Sequence, residues 1–398
     1  MSQVRAFLVS LRKQIDSKSL LKPFRFVTGN QSADLDSVIS AISYSFLSNL
    51  SNDSFIIPLI NIPKHDLKLR RDIVSLLQSH SITEDLLYFV EDFQKLNGSE
   101  KTQVILVDHC NIQGDILTEF LQQEKLDVVG IIDHHADEGV FLDASPRLIQ
   151  SNGSCSSLVF NYWFSKVDKK VLDKNSELVE LLLAPLLIDT SGMTQKVEQG
   201  DVEAFTKYQD IVGDRMSFIK SYVGTQGSTD FYESFYKQLK KAKKDMSGFS
   251  FSDVLHKDYK QFTFSDGSSV GFSSIGKPLS WVLTKFEVSE LKATLSDILV
   301  HSKLDMLVIT SSYTQKESGQ YTREFCYYYE TKTNETFNKL AELAKAPLQL
   351  DSNVYKLETI QDVIKSISDA NLHIYNQRNV AASRKQVVPI VKDILEQK

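Results

Sequence analysis

Cysteine is scarce: three residues in 398, Cys110, Cys155 and Cys326. They are too few and too scattered for a disulfide framework or a zinc-finger spacing, and reduced thiols are expected. Long apolar runs are absent too. No stretch approaches the ~20 residues of a membrane span, and the N-terminus has no uninterrupted hydrophobic core of a secretion signal. The expectation is a cytoplasmic protein without membrane contact. Residues 2–21 carry Arg5, Phe7, Leu8, Leu11, Arg12, Lys13 and Ile15, which form a basic amphipathic pattern faintly like an organelle transit peptide. A mitochondrial fraction therefore stays open, although a packed first helix is preferred. A surplus of positive charge is missing as well: 45 Lys+Arg face 51 Asp+Glu, a net charge of −6. This argues against a general nucleic-acid binder but is compatible with a local basic patch and a polyanionic substrate. There is no internal repeat or low-complexity tract, and no exposed apolar stripe to suggest a partner, so a monomer is expected.

The length exceeds one typical domain, and two are expected. Up to about residue 235, strand candidates at 24–28, 55–60, 86–90, 103–107, 128–132 and 147–150 alternate with helical stretches, the pattern of an α/β parallel sheet with helices on both faces. The segment from Lys237 to Asp245, followed by Met246-Ser247-Gly248, marks a change of composition. Domains at 1–240 and 251–398, joined by a linker at 241–250, are expected. The second reads as a smaller α+β domain: a hairpin from Gln261–Phe264 through Asp266-Gly267 to Val270–Phe272, strands at 306–310 and 325–329, and helices near 333–345 and 358–370. The active site is expected in the cleft between the two domains.

What is abundant is acid placed where apolar runs stop. Phe24–Thr28 leads to Asn30, Asp34 and Asp36. Val104–Val107 delivers Asp108 and His109. Val128–Ile132 delivers Asp133-His134-His135, and Leu186–Ile188 delivers Asp189. In an open parallel sheet the carboxyl ends of the strands share one edge, where ligands bind, so these residues are expected to meet there. Carboxylates crowded in a partly desolvated site repel one another, and cations relieve that repulsion. Oxygen donors with one or two imidazoles favour Mg²⁺ or Mn²⁺ over zinc. A helix at 36–50 is expected, capped by Asp36 or Ser37. The loop Ser151–Ser157 opens another helix whose N-terminus could cradle a phosphate, against the plainer reading of a capped loop.

A basic cluster, Arg378, Arg384 and Lys385, stands just before the expected final helix. Alone it is an ordinary solvated surface. Beside a metal–carboxylate site it gains meaning, because phosphoryl transfer needs side-chain cations as well as metals. Lys260 is a weaker candidate for the same role, more often an exposed strand-edge lysine. Lys240, Lys241, Lys243, Lys244 or Arg147 could line a channel for a long anion, but a solvated helix face is the favoured reading.

Taken in order, Asn30-x-x-x-Asp34-x-Asp36-Ser37, Val107-Asp108-His109, Asp133-His134-His135, Leu187-Ile188-Asp189-Thr190 and Arg384-Lys385-Gln386-Val387-Val388-Pro389 resemble the DHH phosphoesterase superfamily. Within it they resemble the branch of manganese-dependent family II pyrophosphatases and eukaryotic exopolyphosphatases. The resemblance implies two divalent cations, Mg²⁺ first with Mn²⁺ or Co²⁺ as alternatives. Asn30 and Asp34 would serve one, Asp36, His134 and Asp189 the other, and Asp108 would bridge them. It assigns phosphate binding to His135, Lys260, Ser383, Arg384 and Lys385, with His135 as general acid and Asp133 orienting its neighbours. Two ions roughly 3.5–4 Å apart would activate a water for in-line attack.

Two departures point away from the pyrophosphatases. Asn30 stands where they carry His, and a basic residue is missing from the terminal motif. Asn30 is expected to shift preference toward Mg²⁺. No Gly-Gly pair occurs, which argues against the superfamily's nucleases. The implied activity is a fungal-type exopolyphosphatase acting on inorganic polyphosphate. The alternatives are an inorganic pyrophosphatase and a prune-like phosphodiesterase or partner-binding protein.

Overall fold

The computed structural model of the chain describes residues 2–17, 23–51, 55–97, 101–213, 216–224, 230–330, 335–351, 358–367 and 372–396. The chain forms two compact units, Met1–Asp245 and Met246–Lys398.

In the first unit, short runs rich in β-branched and aromatic residues become six parallel strands: β1 Arg25–Thr28, β2 Ile57–Ile60, β3 Tyr88–Phe89, β4 Thr102–Val107, β5 Leu126–Asp133 and β6 Arg147–Ile149. Their order is β3-β2-β1-β4-β5-β6. Successive strands step outward from β1 in one direction, and the chain then returns to add β4 to β6 on the other side. The edge beyond the carboxyl ends of β1 and β4 is thus the switch point at which such sheets bind ligands. Register is fixed by apolar pairs such as Phe26 opposite Ile57 and Val104.

The helix Leu35–Leu50 leaves β1 directly and is buried from Leu35 to Ser48. A helix covered on all sides needs small residues where neighbours approach, and Ser37, Ser40, Ala41, Ser43, Ser45 and Ser48 supply them. Its close return on β1 also explains Gly29. A Cβ there would lie 2.4 Å from the Ser37 Cβ, so a larger residue would push the first turn of the helix off the strand.

Three expectations need correction. The apolar run before Asp189 is not a strand. It is the end of the helix Ser176–Asp189, whose length settles what three apolar residues leave ambiguous. The cap of the helix after β1 is Asp34, which accepts from Ser37 N, and not Asp36 or Ser37. Residues 241–244, assigned to the linker, complete the helix Phe231–Lys244, since a lysine-rich end suits a helix C-terminus.

The second unit carries a mixed sheet in the order β11-β12-β10-β9-β8-β7, with β7 Tyr259–Thr263, β8 Ser269–Ile275, β9 Met306–Thr314, β10 Tyr321–Tyr328, β11 Leu350–Asp351 and β12 Leu372–Gln377. The expected hairpin is β7–β8, turning where Gly267 takes φ 89°. β8 and β9 are parallel, which requires a crossover, and the helices Leu279–Lys285 and Val288–His301 provide it. Phe272, Val308, Phe325, Tyr327, Phe337, Leu340, Val387 and Val391 form the core. The helices expected near 333–345 and 358–370 are Glu335–Leu348 and Glu358–Ile367; positions 18–21, 333–334 and 368–370 lie outside the described residues. Among the described residues, no helix is long and apolar enough to cross a membrane.

One buried acid sits apart from the sheet edge. Glu180 accepts from Ile219 N at 2.7 Å. Burial pushes its carboxyl up to about 7 from an ordinary 4.5, against the pull of the backbone donors at Ile219, Phe218 and Ser217. Between those values the native chain holds a proton that the unfolded chain has released, so stability falls as pH rises through the window, by roughly 3 kcal/mol at most. Glu180→Gln is expected to remove this loss. Its urea midpoint relative to wild type should be higher at pH 8 than at pH 5, and an unchanged difference would show that Glu180 is ionised in the native protein throughout.

Candidate metal centre

Three neighbouring strands of the first unit carry the site. Beyond β1, Asn30 donates from Nδ2 to Asp108 Oδ2 at 2.8 Å, while its Oδ1 accepts from Ser32 N at 2.8 Å. Asp36 lies buried in the first turn of the helix Leu35–Leu50. Its Oδ1 accepts from Ser154 Oγ (2.9 Å), Ser156 N (2.8 Å) and Ser40 Oγ (3.3 Å), and its Oδ2 from Cys155 N (2.7 Å). The amides at the start of the helix Cys155–Phe164, which the sequence offered to a phosphate, are therefore taken by Asp36. A helix N-terminus attracts whichever anion the fold brings to it, and here it is a side chain.

At the end of β4, Asp108 adopts φ 63°, in the left-handed region that is uncommon for a residue other than glycine. Its N–H meets Ile132 O at 3.0 Å and Cys155 Sγ at 3.2 Å. Oδ2 accepts from Ser37 Oγ at 2.5 Å as well as from Asn30. Oδ1 lies 3.1 Å from His134 Nε2 and 3.8 Å from His135 Nδ1.

At the end of β5, Asp133 is fully buried. One oxygen accepts from His134 N, His135 N and His135 Nδ1 at 2.7, 3.2 and 2.8 Å, so it orients both histidines. His134 Nδ1 sits 2.9 Å from Asn152 O. A carbonyl can only accept, so Nδ1 carries a proton and Nε2 is left facing Asp108 and, at 4.0 Å, Asp36.

Charge is the main strain on this arrangement. Burial and the neighbouring Asp36 push the Asp108 carboxyl up to about 7. Asp36 is raised by burial, with His134 opposing and Asp34 adding to the rise. Asp189 is raised well above the carboxylate range by burial and by the charges of Asp36 and Asp34, and its Oδ2 is buried without a hydrogen-bond donor. Burial alone would lower His134, but the Asp108 hydrogen bond and the Asp36 charge hold it up at about 10.

An unsatisfied buried carboxylate oxygen beside two further acids, with an imidazole nitrogen facing them, fits a divalent cation: oxygen donors with few nitrogens suit Mg²⁺ or Mn²⁺. The ligating atoms of Asp108, His134 and His135 lie within 4.8 Å of one another. His135, expected to bind substrate, is thus also placed with the ligands.

In the second unit, Arg384 and Lys385 open the final helix Arg384–Glu396 rather than preceding it. Arg384 is anchored on Asp258, through the carbonyl at 2.8 Å and the carboxylate at 2.7 Å. Asp258 stands two residues before Lys260 on β7, so these cations share one neighbourhood. Ser383 donates from N and Oγ to Gln386 Oε1. Two channel candidates are engaged within the first unit: Arg147 pairs with Asp137 at 2.5 Å, and Lys240 Nζ donates to Tyr236 Oη at 3.0 Å.

Asp201, which is not among the expected site residues, holds the loop bearing Asn152 and Ser154. It lies in the first turn of the helix Gln199–Val212, where it forms a capping box with Glu198, a pattern that marks a helix start and not a site.

Two family models match: the DHH family N-terminal domain over residues 25–186 and the DHHA2 domain over residues 237–394. A Schizosaccharomyces pombe protein named "Putative exopolyphosphatase" is 35% identical over 94% of this chain and 91% of its own length. The chain belongs to the DHH family of phosphoesterases. As a member it is a hydrolase of the metal-dependent kind. Human "Exopolyphosphatase PRUNE1" is 26% identical over 94% of this chain and 76% of that protein. A "Manganese-dependent inorganic pyrophosphatase" of Methanothrix thermoacetophila is 26% identical over 74% and 83%. The fold is shared with a family II pyrophosphatase structure from Methanococcus jannaschii, with TM-score 0.52 and 20% identity over 94% of this chain and 99% of that one.

If carboxylate repulsion dominates this DHH site, Asp189→Asn should melt above wild type at pH 8 in cation-free buffer, because it removes a charge that burial disfavours. Saturating Mn²⁺ should narrow or reverse the difference. A variant that melts lower in both buffers would show that Asp189 is stabilised by contacts other than a cation.

Proposed function

We propose that this DHH protein is an exopolyphosphatase, removing the terminal phosphate of inorganic polyphosphate as orthophosphate. The observation that carries the reading is the pair of buried acids Asp36 and Asp108 facing His134, with Asp189 close enough for their charges to raise its pKa, in a chain that aligns over 94% of its length with relatives named exopolyphosphatases.

Two divalent cations are proposed, Mg²⁺ first and Mn²⁺ or Co²⁺ as substitutes. Asp36, His134 and Asp189 would hold one, Asp34 and Asn30 the other, and Asp108 would serve both. Asn30 would have to turn its carboxamide, since its nitrogen faces Asp108. Bound cations would neutralise phosphate oxygens and make a water nucleophilic at neutral pH.

The protein's own groups supply the rest. Lys260, Ser383, Arg384 and Lys385 would hold phosphates, Arg384 with its guanidinium already fixed by Asp258. His135 is half exposed, and its Nδ1 is committed to Asp133. The Asp133 hydrogen bond raises its pKa against the effect of burial. The Nε2–H is then the proton it can pass to the departing polyphosphate. We place the protein in the cytoplasm as a monomer, acting on no nucleic acid.

A pyrophosphatase relative covering 74% of the chain keeps a two-phosphate substrate as the competing reading. Phosphate release from long-chain polyphosphate and from pyrophosphate, each in Mg²⁺, Mn²⁺ and metal-free buffer, separates the two. Cation-dependent release from polyphosphate with pyrophosphate intact is expected; the opposite preference would make the protein a pyrophosphatase, and silence in both would favour a phosphodiesterase or binding role. In the same assay Asp108→Asn, shown by its unfolding transition to be folded, should abolish turnover, because it removes the charge proposed to serve both cations. Near-normal turnover would refute its role between the cations.

A further inference from the structure

Asp201 has no place in the site described so far, yet it is completely buried and accepts four N–H bonds. Its Oδ1 takes Asn152 Nδ2 at 2.7 Å and Ser154 N at 3.2 Å. Its Oδ2 takes Gly153 N at 2.7 Å and Glu198 N at 3.0 Å. Three of these donors belong to consecutive residues of the loop after β6, so one carboxylate fixes the path of that loop from the far side.

Two of those residues, Asn152 and Ser154, lead into the metal centre. The carbonyl of Asn152 receives His134 Nδ1, which sets the side of the ring that faces the carboxylates. Ser154 Oγ and the amides of Cys155 and Ser156 hold both oxygens of Asp36. The same short loop therefore sets the proton position on one nitrogen ligand and the rotamer of one oxygen ligand. A ligating histidine depends on the group that binds its other nitrogen, and disturbing such supports typically weakens metal binding about 10–100-fold.

Close packing shows how tightly the clamp is built. A Cβ at Gly153 would lie 2.4 Å from Lys196 O and 2.7 Å from Asp201 Oδ2, and a Cβ at Gly200 would lie 2.6 Å from Asn152 Oδ1. The loop and the helix Gln199–Val212 approach at a distance that only glycine permits on both sides.

We propose that Asp201 is a positioning residue that sets cation affinity by clamping residues 152–154, and through them His134 and Asp36. The inference rests on the reading of those two residues as cation ligands. It does not depend on the identity of the substrate.

The test is calorimetric titration of Mn²⁺ into cation-stripped full-length protein, wild type against Asp201→Asn, with urea unfolding as the control for folding. Asp201→Asn keeps the shape but turns an NH₂ toward one of the backbone donors. The expected result is a folded variant whose Kd for Mn²⁺ is raised about 10–100-fold. Asn152→Ala removes one of the four donors to Asp201 while keeping the backbone carbonyl that receives His134 Nδ1 and filling no space, so a several-fold weaker Kd is expected from it too, and it carries the test if Asp201→Asn does not fold. Unchanged Mn²⁺ affinity in a folded variant would overturn the proposal, even if stability falls. Because no substrate is present, absence of polyphosphate hydrolysis would count against the proposed reaction and leave this result standing.

Discussion

Asp36 and Asp108 are buried, Asp189 keeps a buried Oδ2 near them, and the charge of Asp36 raises the proton affinity of both of the others. An isolated buried charge costs several kcal/mol even after relaxation, and neighbours of like sign add to the cost. The fold accepts it by surrounding the acids with donors: serine hydroxyls and amides on Asp36, Ser37 and Asn30 on Asp108, and an imidazole facing both. Among the described residues, Asp189 Oδ2 is left without a donor, as is Asp133 Oδ2.

The rest of the first unit follows from that need. Placing acids from two strands within reach requires those strands to be adjacent, and the order β2-β1-β4-β5 achieves it with β1 and β4 side by side. Bringing the helix Leu35–Leu50 close enough for Asp36 to reach the next helix requires small residues along it and a glycine at the strand exit. Serine is used repeatedly because it is small enough for this approach and still supplies a hydroxyl. Ser37 shows both properties, packing on Gly29 and donating to Asp108.

Anion and cation chemistry are divided along the chain. The first unit gathers acids and imidazoles, whereas the second gathers Lys260, Arg384 and Lys385 on a strand and a helix start. Arg384, anchored by Asp258, has already lost rotamer freedom. The overall charge of −6 conceals this division, because composition averages over regions that act separately.

How much of this was legible depends on the range of the interaction involved. Strands β1, β2, β4 and β5 follow from apolar runs of a few residues, a local signal, and the acids at their ends follow from the same runs. Asp189 is singled out by a local motif, whereas the element that carries it, a helix and not a strand, is decided by length. Asn30 shows the opposite case: its identity suggested an oxygen ligand, but its amide faces Asp108 because Ser32 N claims the oxygen. The destination of the Cys155 and Ser156 amides lies 119 and 120 residues away, and the clamp at Asp201 spans 47 to 49 residues. The sequence by itself determined which residues are acidic, which segments pair into a parallel sheet and which strand ends carry the chemistry. Only the tertiary structure decided which hydrogen bond each acid accepts and which acid is left without one, because hydrogen bonds and burial depend on neighbours that no local pattern specifies.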